Sequence, residues 1–256
     1  MSRKSEPVNA RANAAGGAVV LFALAICFAL SGLAALIYQT AWTRQFALVF
    51  GTSELAVATV LAAYMGGLAL GAALIDRLLS RFTRPVLGYA LLELGIGAAS
   101  VALVPALLYA SSALLVTLFG GQAAPPSSEH GGLSLYFLVT AFIVLAVPST
   151  LMGATLPLLA RHAVREDAQI GRRIGLLYAA NTGAVAGASL LAAYWLLPAG
   201  LQATVWAAAA VSIVVFVVAA AVSLRVPTST APAPRAALFV DASHWILPPL
   251  MLASGA

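Results

Sequence analysis

The chain has 256 residues, of which 62% are hydrophobic and only 8% charged, with a mean hydropathy of +1.00. Such a composition lacks the polar residues needed to cover a water-soluble domain of this size, so the sequence reads as an integral, all-α membrane protein. Thirteen Lys and Arg against eight Asp and Glu give a net charge of +5. Because the basic residues cluster at the ends of apolar runs, the excess speaks for orientation in a bilayer and not for a nucleic-acid partner.

Residues 1–17, MSRKSEPVNARANAAGG, form a polar, basic tail ahead of the first apolar run, 18–38. That run is a full span, too long for the core of a signal peptide. A polar stretch, 39–54, should connect it to the second span, 55–75, which ends at Asp76 and Arg77. The third span opens with Pro85, a natural first-turn residue. Its apolar pattern continues past Pro105 to Phe119, which predicts a kink at the proline and a reoriented end. The segment GGQAAPPSSEHGG, 120–132, reads as a loop. The fourth span, 133–160, contains Pro148 and Pro157. These predict a bend that improves packing, or else a polar notch where carbonyls are freed. The charged segment 161–173 leads to the fifth span, 174–197; a tight turn at 198–200 then gives a sixth span, 201–224. A Pro-, Ala- and Thr-rich linker, 225–243, precedes the apolar stretch 244–256, too short to cross as a helix and expected to begin a seventh.

Counting Lys and Arg on alternate sides of six spans puts twelve with the N-terminus and one, Arg44, opposite. This asymmetry predicts a cytoplasmic N-terminus in a bacterial inner membrane. The single cysteine, Cys27, lies inside the first span and reads as a packing residue. His130, His162 and His244 are scattered without metal-ligand spacing, and neither a metal nor a cofactor is expected.

Glu93 is the one full charge set well inside a span. Eight residues beyond Pro85 at 1.5 Å per residue place it about 12 Å into the hydrocarbon. An acid at that depth should face other helices or a wet cavity, as a proton or cation site; the structural alternative is a hydrogen bond that holds two helices together. Asn181 lies at the same depth on the fifth span. Ser149 and Thr150 sit slightly deeper on the fourth, and Tyr178 shares a face with Asn181. The expectation is one substrate-binding polar layer of Glu93, Ser149, Thr150, Tyr178 and Asn181, with Ser31 a further candidate member. Against it stands the possibility that each polar group bonds its own helix backbone.

Small residues at four-residue spacing mark packing faces: Ala63, Gly67 and Gly71 on the second span; Gly175, Ala179, Gly183 and Gly187 on the fifth. Arg44 and Glu54 should pair around the first connection, while Tyr38 and Trp42 should sit in the interfacial aromatic belt.

The stretches LSGLAALIYQTAWTR (30–44), FGTSELAVATVLAAYMGGLALG (50–71), RPVLGYALLELGIG (84–97), PSTLMGATLPLLAR (148–161) and GLLYAANTGAVAG (175–187) together resemble the membrane region of fused spermidine synthase-like proteins. The six-span count, and the similarity of ALSGLA at 29–34 to the terminal LASGA, resemble one half of a major facilitator fold. The resemblance implies a bundle completed by a second six-helix half or another membrane subunit, and a cytosolic aminopropyltransferase-like domain as partner. No such catalytic domain occurs in this chain, and no catalytic residue is assigned. Two functions follow as expectations: binding or transport of a small, amine-type solute around Glu93 and Asn181, or a non-catalytic scaffold for an enzyme domain or membrane complex.

Overall fold

The computed structural model describes residues 6–50, 54–78, 83–119, 131–163 and 170–226. Most of the expected 120–132 loop, the 225–243 linker beyond Val226 and the seventh apolar segment lie outside them. Every regular element among the described residues is a helix: α1 (Glu6–Phe50), α2 (Glu54–Leu78), α3 (Pro85–Ala98), α4 (Val104–Phe119), α5 (Gly131–Ala163), α6 (Ile170–Leu191) and α7 (Leu201–Ser223). A π-helical turn, Ala99–Leu103, joins α3 to α4, and another, Ala192–Leu196, extends α6. Six segments are long and apolar enough to cross a bilayer: Val19–Phe50, Ala56–Ile75, Pro85–Leu118, Leu135–Ala160, Gly175–Leu196 and Leu201–Ser223. Phe22, Leu118, Leu190 and Val217 are among many large apolar side chains exposed on their outer faces. A surface of this kind is stable only in contact with lipid.

The polar stretch after Tyr38 is not a loop. Helix α1 runs through it to Phe50, and Thr40 and Thr43 turn their hydroxyls back onto the carbonyls of Leu36 and Gln39 at 2.8 and 2.9 Å. Those bonds remove two polar groups from competition with the helix. Tyr38, Trp42, Phe46 and Phe50 recur every four residues and are fully buried. Tyr38 stacks on Trp42 at 5.5 Å, and Phe50 on Phe137 of α5 at 4.2 Å. The aromatic belt expected for Tyr38 and Trp42 is therefore replaced by core packing, which outweighs the interfacial preference of an isolated ring. Nor do Arg44 and Glu54 pair; both are exposed, and no ion pair forms among the described residues.

The chain stays helical through Pro105 as far as Phe119. The turn just before the proline widens, so that Val104 N–H bonds Ala99 O five residues back. Ahead of Pro198 the same register appears, with Leu197 N–H on Ala192 O at 2.9 Å. A proline ring clashes with the carbonyl four residues earlier, and a π turn shifts that carbonyl aside while the chain stays helical. The predicted turn at 198–200 is present, with Gly200 at φ 109°, a conformation open to glycine. Thr204 Oγ1 bonds the Leu196 and Gly200 carbonyls there, each at 2.8 Å.

The helices pack in the series α6, α1, α7, α3, α5, α2, and the two ends, α2 and α6, make no extensive contact. The bundle is thus a ring with a gap. Helices α2 and α5 are knitted by glycine: a Cβ at Gly67 would overlap the Ser149 side chain, one at Gly71 the Thr150 carbonyl, and one at Gly153 the Leu68 carbonyl. The small-residue stripe on α2 is a packing face, as expected. The stripe on α6 is not, because Gly175, Gly183 and Gly187 have nothing within 4 Å. Periodicity shows that a face is small, but only the neighbours decide whether anything packs on it.

Two apolar clusters fill the interior, one around Tyr38, Trp42 and Phe46 and one around Phe28, Tyr89 and Leu158. The changeover falls between Phe28 and Ala34 on α1, Ala90 and Ile96 on α3, Leu177 and Ala188 on α6, and Ala209 and Val215 on α7. Those intervals contain Ser31, Glu93, Asn181 and Ser212. A polar level therefore separates two greasy ones.

Candidate functional site

At that level the side chains divide between two places. The first is a groove of about 340 Å³ in the gap of the ring, with α1 and α5 as its floor and α2 and α6 as its walls. Its polar lining comprises Ser31 and Gln39 from α1, Tyr64 from α2, Thr155 from α5, and Tyr178 and Asn181 from α6. The Asn181 amide rests directly on Gly32, where any side chain would occupy its position. Tyr178, one turn away, is 62% exposed. Asn181, Tyr178 and Gln39 are half-buried or exposed, and their side chains form no hydrogen bond among the described residues. Their polar groups thus face the groove unsatisfied. Pro157 cannot donate to the Gly153 carbonyl, and Gly153 also lines the groove. Helix α5 nonetheless continues through both of its prolines.

The second place is behind α1. Glu93 on α3 is 1% exposed and accepts a hydrogen bond from the Ser31 hydroxyl at Oε1. The hydroxyls of Tyr89, one turn earlier on α3, and Ser212 of α7 stand beside the carboxyl, and Tyr38 lies close to Ser212 and Ser100. Tyr38 Oη, Tyr89 Oη and Ser212 Oγ are buried without a hydrogen bond of good geometry. Buried hydroxyls in this condition ordinarily call for an ordered water.

The structure therefore brings Ser31 to Glu93, and Tyr178 and Asn181 to one groove. It does not bring Glu93 to Asn181. The two reach α1 at consecutive residues, Ser31 and Gly32, and no hydrogen bond joins them. Shared depth was readable from residue counting, whereas the direction each side chain takes around α1 was not. Ser149 bonds the Leu145 carbonyl of its own helix and fills the space beside Gly67, while the Thr150 backbone meets Gly71. Both lie in the α2–α5 seam and are not among the groove-lining residues.

Sequence reasoning passed over Tyr89, Ser212, Gly32 and the groove role of Gln39. Tyr89 was within reach, since i, i+4 spacing puts it on the face of Glu93. Ser212 carried no local signal. Among the described residues no three His, Cys, Asp or Glu side chains gather where a metal ion could be held. Comparison with protein-family models, curated proteins and solved structures gives no match for the chain.

Proposed function

We propose that this chain is the membrane module of a spermidine synthase-like membrane protein and binds a small, amine-bearing solute in the groove between α2 and α6. The observation that carries the reading is the groove itself, where amide and hydroxyl groups from four helices converge within an apolar bundle, the side chains of Gln39, Tyr178 and Asn181 among them without a hydrogen bond to the described residues. The Asn181 carbonyl oxygen can accept from an ammonium group, and the exposed Tyr178 ring offers a cation–π face. Ser31 links this surface to Glu93, the one acid buried among the described residues. On this reading the bundle is one half of a major facilitator-type unit, whose second half begins in 244–256 or comes from another subunit. The distribution of twelve Lys and Arg against one supports a cytoplasmic N-terminus in a bacterial inner membrane.

Equilibrium binding of radiolabelled spermidine to the purified protein in detergent tests this reading. Binding is expected to be saturable, and Asn181→Ala should weaken it about tenfold or more, the worth of one hydrogen bond to a charged group. Helix content and melting should not change. No saturable binding by the unaltered protein would overturn the solute reading. A scaffold role would then stand, favoured by the small-residue face of α6 that no described residue covers, and Glu93→Gln would alter only assembly or stability.

A further inference from the structure

We infer that amine binding in the groove exchanges against a proton held on Glu93, with Ser31 as the positioning residue that makes each event felt by the other. The inference rests on the groove being an amine site. It adds a counter-ion, a stoichiometry and a pH dependence.

The argument starts from charge. Glu93 is 1% exposed, and among the described residues no Lys, Arg or His comes near it. The groups facing it are Ser31, Cys27 and Tyr38 from α1, Tyr89 from its own helix and Ser212 from α7. Helix α5, also packed on α3, adds no titratable group. None of these neighbours is a cation. A lone carboxylate in such surroundings is too costly to keep, so it must carry a proton or have a positive charge brought close. Among the described residues, Ser31 joins it to the groove: the serine lines the groove, is 8% exposed and bonds Glu93 directly.

A serine hydroxyl has one hydrogen and two lone pairs, so it cannot offer the same face in both states. With Glu93 protonated, the acid donates to Ser31 Oγ, and the serine hydrogen points into the groove, where it repels an N–H donor. When an ammonium group enters, the Glu93 O–H bond breaks and its electron pair stays on the carboxylate. That proton joins Ser31 Oγ as the original serine hydrogen passes to groove water, which forms hydronium and carries it to solvent. Ser31 then donates to Glu93 and turns a lone pair towards the incoming N–H, the Oγ–Oε1 contact being kept in both states. Beside Ser31 one ammonium charge arrives and one proton leaves, so the net charge at that point of the pocket is unchanged.

The test is proton release from the purified protein in weakly buffered detergent, read with a pH-indicating dye as spermidine is added. About one proton per bound spermidine is expected near neutral pH, where the amine is itself fully protonated, and none from Glu93→Gln. Because binding expels a proton, affinity should rise with pH by up to about tenfold per unit through the transition, whereas Glu93→Gln gives a flat profile. Ser31→Ala should weaken binding about tenfold, and Ser31→Thr, which keeps the hydroxyl, should restore it. The pH profile of the unaltered protein needs no variant, so a Glu93→Gln chain that fails to fold does not block the experiment. Saturable binding with no proton release and a flat profile would overturn the exchange while leaving the groove reading intact. No spermidine binding at all would remove both.

Discussion

Single residues in this bundle are set by what lies opposite them. Gly153 and Gly183 look alike in sequence, each a glycine in a span, yet a Cβ at Gly153 meets the Leu68 backbone and one at Gly183 meets nothing. Gly153→Ala should therefore cost about 1–3 kcal/mol or more, since backbone cannot rotate out of the way as a side chain can. Gly183→Ala should leave stability unchanged, and thermal melting of the two variants in detergent separates them. Tyr38→Phe removes a buried hydroxyl that lacks a well-made hydrogen bond, so it should change stability by less than about 0.5 kcal/mol in the same assay. Glu93 was legible in the sequence because an acid deep in an apolar run is conspicuous by itself. Ser212 and Gly32 were not, because a serine or glycine in such a run becomes meaningful only through the side chain placed beside it.

At the scale of elements, spans and turns followed from hydropathy and from Pro and Gly placement, with α1 the main exception. Residues 39–50 contain Gln39, Thr40, Thr43, Arg44 and Gln45, which suggested a connection when polarity was weighed alone. The stronger signal was the four-residue recurrence of Tyr38, Trp42, Phe46 and Phe50, which places one aromatic per turn on a single helical face. Trp42→Ala should cost about 3–5 kcal/mol by opening a cavity beside Tyr38 and Tyr64; Leu48→Ala, on the exposed side of the same helix, should cost far less. Reversible denaturant titration of both variants checks the difference. The prolines mark disturbances whose form the sequence does not specify: at Pro105 and Pro198 the preceding turn widens. Here Leu108 and Leu115 of α4 are anchored in the core, and the π turn at 99–103 lets the span continue towards them.

At the scale of the molecule, the sequence showed how many spans there are and how deep each polar group sits, because both follow from counting along single helices. It did not show which helices are neighbours, a property of pairs of faces. For that reason the expected polar layer divides here into a groove with Asn181 and a closed cluster with Glu93. Thiol chemistry can check the division, since Cys27 is the chain's single cysteine and is 1% exposed. In intact membranes Cys27 should resist a water-soluble maleimide, while Tyr178→Cys should be labelled at least about tenfold faster because thiolate accessibility governs the rate. Equal labelling of the two positions would contradict the arrangement.

The ring that fails to close between α2 and α6 also determines what competes for the groove. An opening on the flank of a membrane helix bundle is a side door onto the acyl chains, and hydrocarbon tails compete there with water and solute for its apolar edge. A solute that covers that edge must displace them. Apparent affinity should therefore depend on the length and concentration of the surrounding detergent or lipid tails, and a comparison between short- and long-chain micelles would expose that competition.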